Sequence, residues 1–318
     1  MPDHRPQLTV AICTRNRSGL LTQALDALSG QTAGTDAFEV LVVDNASTDG
    51  TAAVAQGFSS RFRHFRHVLE PTLGLSHARN TALRQAAAQW VCFLDDDSLA
   101  APDYVAVALP VCRQGRFACF GGAVRPWRRD PLPAWFLDEY ESGSLRDIRD
   151  VSAVPEGSFV FGNNMVLRKD IALGLGGFDP ALGMRGNAIA YGEETDLQAR
   201  MKAAGHVVGY VPDLVVRHYA RPEKYTVRRQ LEMQYRSGAA WQTISGDTSA
   251  GMLCAILTKL FISPARGACI SARRLAAGGY RWQNALIETG GRLCFSLGRL
   301  LAWQAMRTAS KRVPPCRR

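Results

Sequence analysis

Three short runs in the first hundred residues are apolar at almost every position, and each stops at polar or charged side chains. Leu8 to Cys13 (LTVAIC) ends before Thr14, Arg15 and Arg17; Glu39 to Val43 (EVLVV) ends before Asp44; Trp90 to Leu94 (WVCFL) ends before Asp95, Asp96 and Asp97. A strand apolar on both faces has no solvent side, so it belongs inside a sheet covered on two sides. The segments between these runs carry helical patterns. Ser18 is placed to cap a helix whose Leu20, Leu21, Ala24, Leu25 and Leu28 share a face, Asp49 begins another through Ala52 to Ala55, and a third lies around Ala78 to Ala88. Strand–helix alternation predicts an α/β fold with a mostly parallel, Rossmann-like sheet flanked by helices. Ligands of such sheets bind at the carboxyl ends of the strands, where the polar residues stand.

Beyond Phe117 the pattern loosens. A strand-like FACFGGAV precedes the aperiodic segment 125–147, expected to be a lid or acceptor loop whose Trp127, Trp135 and Phe136 either stack on a ligand's ring or pack together. Apolar structure resumes at Ser158 to Arg168, where Gly162 and Asn163 turn the chain so that Asn164 can reach the hydroxyls of a ligand. A Gly-rich turn at Gly174 to Gly177, a helix over 193–204 and strands at 206–211 and 214–217 follow. After Ala220 the helical period dominates, over 225–245, 252–262 and 286–306.

The formal charge is +10, which points to an anionic partner, but it is unevenly spread. Through Tyr219 there are 21 lysines and arginines against 24 aspartates and glutamates; from Ala220 onward there are 17 against 4. The chain therefore reads as a slightly acidic body, residues 1–219, with a basic helical region, 220–318; a nucleic-acid binder is not expected. Eight cysteines without a CxxC pair read as reduced thiols. The polar N-terminus carries no signal peptide, and no run approaches roughly 18 uncharged apolar residues. The expected location is cytoplasmic. In the last helix Leu293, Leu297, Leu300 and Leu301 share a face, while Arg292, Arg299 and Arg307 fall elsewhere. This layout suggests peripheral docking to an anionic membrane surface, or else packing on the body with a solvated basic face.

Three adjacent aspartates repel one another, so Asp95, Asp96 and Asp97 need either a solvated turn or a cation. At a strand end, Mn²⁺ or Mg²⁺ answers that need, since these ions combine one or two carboxylates with phosphates and water. Asp44 sits equivalently one strand earlier, with an Asx-turn or helix cap as its alternative role. Together a hydroxyl, guanidinium groups and carboxylates suit a nucleoside diphosphate.

The runs TVAICTRNR, EVLVVDNASTDGT, GLSHARNTAL and WVCFLDDDS, followed by FGNNMVLRKD, LGGFDPALG, YGEETDLQARMKAAGH and VVRHY, resemble in order and spacing the family 2 glycosyltransferases of the GT-A fold. The likeness covers about residues 7–219, followed by a C-terminal helical extension. It implies a nucleotide-sugar donor, a carbohydrate or lipid-linked acceptor, and a divalent metal. Thr14 and Arg15 would border the nucleotide base, Arg15 standing where many members carry an aromatic residue. Asp44 would hold base or ribose, and Arg79 would lie near base and diphosphate. Asp95 and Asp96 would face the ribose, Asp97 would bind the metal, and Asp95 and His218 would complete its shell. Glu194 matches the catalytic base position, with Glu193 as the alternative. The resemblance implies inverting transfer in polysaccharide or glycolipid synthesis. The competing readings are a sugar nucleotidyltransferase, against which TRNRSGLL offers a single glycine for a phosphate loop, and a non-catalytic sugar- or lipid-binding scaffold.

Overall fold

The computed structural model describes residues 5–128, 131–137, 140, 145, 147–184, 191–219, 221–278 and 280–312, the last four as backbone. The C-terminal residues 313–318 and parts of segments 125–147 and 183–192 lie outside the described residues. The described chain divides into two compact units. One is drawn from Met1–Arg129, Asp138–Ala188 and Glu193–Ala220, the other from Asp130–Leu137, Ile189–Gly192 and Arg221–Arg318.

In the first unit the fully apolar runs become β1 (Leu8–Thr14), β2 (Phe38–Asp44) and β4 (Trp90–Leu94). With β3 (His64–Leu69) they pair in parallel in the order β3-β2-β1-β4. Alternate residues of β1 serve opposite faces, as pleating requires. Leu8, Val10 and Ile12 join a core with Leu21 and Leu25 of α1 (Ser18–Ser29) and Tyr104 and Val105 of α4 (Tyr104–Gln114). Ala11 joins a second core with Ala78 and Ala82 of α3 (Leu75–Gln85) and Leu197 and Met201 of α6 (Glu193–Ala203).

Beyond β4 the pairing turns mixed. β8 (Asn164–Arg168) runs antiparallel to both β4 and β6 (Cys119–Trp127), β6 pairs in parallel with β9 (Val208–Tyr219), and β9 runs antiparallel to β5 (Ser98–Ala100) and β7 (Ser152–Ala153). Among the described residues nine strands thus form one sheet.

Several local expectations change. β3 has no counterpart in the sequence reading, because RFRHFRHVL is a polar edge strand with Leu69 62% exposed. Ser18 does not cap α1; it is its first helical residue, and its N–H donates to Asp49 Oδ2 at 3.1 Å. Asp49 also accepts from Thr51 N–H, at the start of α2 (Thr51–Phe58). The two strands read in 206–217 are one, β9. The Gly-rich turn follows α5 (Lys169–Gly174) as expected. Gly177 has φ +71°, and a Cβ there would stand only 2.4 Å from Asn80 Oδ1. Asn80 latches the turn by accepting from Phe178 N–H and donating to Phe178 O.

The second unit holds α7 (Val227–Ser245), α8 (Ala250–Ala276) and α9 (Trp282–Arg312). Thr226 and Ser249 cap the first two by accepting from Arg229 and Met252 N–H. α9 meets α7 so closely that a Cβ at Gly238 would sit 2.0 Å from Phe295 O, and one at Gly298 2.0 Å from Tyr235 O. The arginines of α9 differ in their surroundings, Arg292 and Arg307 being half-exposed. Arg299 is buried and donates to Gln242 Oε1, Arg292 pairs with Glu288, and Arg307 lies over the Trp303 ring. Trp135 and Phe136 pack edge to face, and Phe136 packs on Tyr225, so these rings are packing rather than a sugar platform.

No run of α8 approaches 18 uncharged apolar residues, yet among the described residues it is the one helix long and apolar enough, by length and composition, to cross a membrane. It runs 27 residues, an 18-residue window in it reaches a mean hydropathy of 1.5, and 11% of that window is buried. Lys259, Arg266 and Pro264 interrupt the apolar run and concealed this length. The seven described cysteines are free, Cys254 and Cys269 being exposed; Cys316 lies outside the described residues.

Candidate active site

The carboxyl ends of β1, β2 and β4 meet at a knot of polar bonds in the first unit. Asn45, just past β2, donates from its N–H to Thr14 O and from Nδ2 to Glu70 O and Thr72 O, while its Oδ1 accepts from Gly74 N–H. One amide side chain thereby fixes the ends of β2 and β3 and the approach to α3. Asp44, also buried, accepts from Ser47 N–H at 2.8 Å, and His67 Nε2 of β3 stands 3.7 Å from its other oxygen.

The three aspartates after β4 occupy three different environments. Asp96 is buried; its Oδ2 accepts from Thr14 Oγ1 at 2.7 Å and its Oδ1 from Arg17 Nη1 at 2.8 Å. Burial pushes its carboxyl up to about 6 from 3.8, Arg17 opposes that rise and Asp97 adds to it. Asp97 is buried too, with Arg17 at 3.6 Å and His218 Nε2 3.4 Å from its Oδ1. The β5–β9 register produces that approach: Ser98 faces His218 across the ladder, and Tyr219 N–H donates to Asp97 O at 2.7 Å. Asp95 is half-exposed and turns the other way, 3.4 Å from Arg79 Nη2.

Arg79 is buried in α3 between the rings of Phe93 and Phe178, 5.8 and 5.5 Å from its guanidinium carbon. Its Nη1 donates to Glu193 Oε1 at 2.8 Å, so one guanidinium faces both the aspartate loop and the start of α6. Burial disfavours its charge, but Glu193, Asp95 and Glu194 outweigh that cost and raise its pKa above the ordinary value. Burial, then the neighbouring Glu194, push the Glu193 carboxyl up to about 8, with Arg79 pulling it down. These two tendencies coexist because a protonated carboxyl still offers its carbonyl oxygen to Arg79. Glu193 Oε2 is buried and has no hydrogen-bond partner among the described residues. Gly183, at φ +82°, lies against it: a Cβ there would come within 3.0 Å of the Glu193 carboxyl and of Ser76 Oγ. Glu194 is half-buried beside it.

Residues 9–175, just over half of the chain, match the family model described as Glycosyl transferase family 2. The chain belongs to that family. It is 41% identical over 104 residues to validoxylamine A glucosyltransferase of Streptomyces hygroscopicus subsp. jinggangensis, a match covering 32% of the chain and only 24% of that protein's length. A longer match, 26% identical over 255 residues and 79% of each chain, is to the succinoglycan biosynthesis protein ExoM of Rhizobium meliloti. The mannosyltransferase PcManGT of Pyrobaculum calidifontis, solved in complex with GDP-Man and Mn²⁺, superposes with a TM-score of 0.55 at 20% identity, over 98% of this chain and 78% of that one. TarS 1–349 of S. aureus in complex with UDP-GlcNAc does so with a TM-score of 0.55 at 17% identity, over 72% and 64%. The fold is that of the GT-A glycosyltransferases, with C-terminal helices added.

Of the positions singled out in this family 2 chain, Thr14, Asp44, Arg79, Asp95, Asp96, Asp97, Glu193 and His218 are brought to the strand ends by the contacts above. Arg15 is half-buried beside Thr14, its Nε buried without a hydrogen-bond partner among the described residues. Asn164 is not part of this crevice. It is fully buried, its Oδ1 accepts from Tyr104 OH, and its Nδ2 donates to Ala123 O and Leu214 O, so its amide is spent inside the core. Nor do Asp97, Asp95 and His218 gather into one group: among the described residues no three His, Cys, Asp or Glu side chains cluster to hold a metal. Arg17 is expected at the strand end but without an assigned role, and Ser76, Gly183 and His67 have no counterpart in the sequence reading. Arg17 is signalled by its place in TRNR after β1; the other three depend on contacts between segments distant in sequence.

Proposed function

We propose that the chain is an inverting glycosyltransferase of family 2 that moves a sugar from a nucleoside-diphosphate sugar to an acceptor hydroxyl, its catalytic body being residues 1–219. The observation that carries this reading is the buried Arg79, which ties the start of α6 to the aspartate loop. Thr14, Arg15 and Asp44 would border the nucleoside, and Asp95 and Asp96 the ribose.

The residues present fit Mn²⁺ or Mg²⁺. A carboxylate oxygen of Asp97 faces an imidazole nitrogen of His218 at 3.4 Å, and such ions take one or two protein ligands with phosphate and water filling the rest. When bound there, the metal would neutralise charge growing on the departing diphosphate. Arg17 sets a fixed cation beside the same carboxylates.

The proton of the acceptor hydroxyl must leave as its oxygen bonds to the anomeric carbon and the sugar–phosphate bond breaks with its electron pair on the nucleoside diphosphate. Glu194 is assigned as its acceptor. Glu193 is committed to Arg79 and buried, whereas Glu194 is half-buried at the same helix start. Glu193 is then a positioning residue that holds α6 against α3.

The name of ExoM places that relative in polysaccharide biosynthesis, and the same setting, with a carbohydrate or lipid-linked acceptor at a cytoplasmic membrane face, is proposed here. A thermal-shift panel of nucleotide sugars, with and without Mn²⁺, tests the assignment. A donor at about a hundred times its dissociation constant should add roughly 2.7 kcal/mol of stability. The nucleoside diphosphate should then be released in the presence of acceptor. Release of pyrophosphate would point to nucleotidyl transfer instead, and silence with every donor to a scaffold.

A further inference from the structure

The second unit carries an apolar face that the helix bundle leaves uncovered. α8 packs through one side only, where Ile256, Gly267 and Ser271 are buried. A Cβ at Gly267 would lie 2.9 Å from Glu288 O, which identifies α9 as the neighbour on that side. On the other side Leu257, Phe261, Ile262 and Leu275 are 39, 74, 61 and 42% exposed. Phe261 and Ile262 are large, adjacent and among the most exposed apolar side chains described, which a helix serving only a soluble core would not present.

The charges on this helix are ordered. Lys259, Arg266 and Arg273 recur every seventh residue, which at 100° per residue sets them on one flank of the apolar face. α8 contains no acidic residue. Residues 220–318 contain four, of which Glu232 pairs with Arg229 and Arg236 and Glu288 with Arg292.

We propose that α8 is an in-plane docking helix for an anionic lipid bilayer. Phe261, Ile262, Leu257 and Leu275 enter the boundary between headgroups and acyl chains, and Lys259, Arg266 and Arg273 lie among the headgroup phosphates. Exposed apolar side chains, a cationic flank beside them and a far side packed against α9 form the layout that binds in the plane of an interface. Crossing the bilayer would set Lys259 and Arg266 near its centre, where a cation is costly, and would draw in the α9 side as well. Antiparallel pairing with a second copy would oppose like charges along the same flank. The inference places the membrane contact on α8 rather than on the arginines of α9, of which Arg299 is buried, Arg292 is paired with Glu288 and Arg307 lies over Trp303. It is independent of the glycosyl-transfer reading, because vesicle binding is measured without donor.

The test is co-sedimentation of the full chain with phosphatidylcholine vesicles, plain or containing roughly a third phosphatidylglycerol. Binding should require the anionic lipid and weaken steeply toward about 1 M salt, where the Debye length falls to about 3 Å. Replacing Lys259, Arg266 and Arg273 by Gln should weaken binding about a hundredfold, at about fivefold per cation. The double variant Phe261→Glu, Ile262→Glu should abolish it while leaving the thermal midpoint and any donor-induced shift unchanged, because both side chains are exposed. The fluorescence that Phe261→Trp adds to that of the native chain should be quenched by lipids brominated near the headgroup and not by those brominated at mid-chain. Three results would overturn the proposal: equal binding to plain vesicles, quenching at mid-chain depth, or a dimer in lipid-free solution that the double variant dissociates.

Discussion

Arg79 Nη1 stands 2.8 Å from Glu193 Oε1, and both side chains are buried. The other terminal nitrogen of the same guanidinium is 3.4 Å from Asp95. The spacing between the aspartate loop and the start of α6 is therefore set by one planar group. Its five N–H donors are directed in fixed positions, and a lysine could not reproduce them.

The ionisation of Glu193 predicts a pH dependence. Its carboxyl is pushed up to about 8 in the folded chain from an ordinary 4.5, so between those values the folded state holds a proton that the unfolded state has lost. Stability should fall as pH rises across that interval. Thermal midpoints from pH 5 to 8.5 should show the decline in the native chain and a flatter profile in Glu193→Gln; parallel profiles would remove Glu193 as the cause.

Replacing Glu194 by Gln should lower kcat by about 10²–10⁴-fold with little change in donor affinity, the range lost with a general base. Glu193→Gln should act through geometry, changing KM and stability along with kcat. Rapid-quench turnover with saturating donor separates the two, and near-native turnover in Glu194→Gln would transfer the base role elsewhere.

Asp97→Asn and His218→Ala should each abolish the extra thermal stabilisation that Mn²⁺ gives in the presence of donor. Chelation should do the same to the native chain, reversibly. Isothermal titration with Mn²⁺ and donor checks this, and a metal response intact in both variants would place the ion at other ligands.

Gly183→Ala asks a residue with φ +82° to accept a Cβ within 3.0 Å of both Glu193 and Ser76. The expected cost is about 1–3 kcal/mol, since both the backbone and the contact are unfavourable. Denaturant unfolding gives the stability change. Recovery in Gly183→Ala combined with Ser76→Gly would assign part of the cost to the crowded hydroxyl.

Asn164 shows where residue type alone misleads. Its place after Gly162 and Asn163 suggested a hydroxyl-binding amide, yet its partners are Tyr104 and two carbonyls brought from β6 and the β9 region by tertiary folding. The doubly apolar strands were legible because nothing but a covered sheet accommodates them. β3 was not, since its arginines and histidines match an edge, and an edge strand alternates weakly. Arg66, for instance, reaches back to the buried Glu39 at 2.7 Å. The aspartate triplet pointed to a candidate site but not to its division of labour, which follows from Thr14 and Arg17 after β1, Arg79 of α3 and His218 of β9 approaching from three other segments.

β9 is paired on one side with β5 and on the other with β6, and its last turn of the ladder holds His218 opposite Ser98. Gaining or losing one residue there would swing the imidazole to the opposite side of the sheet. The role proposed for His218 therefore depends on the count of residues between Val216 and Tyr219, a length set by the ladder and not by the connecting loops.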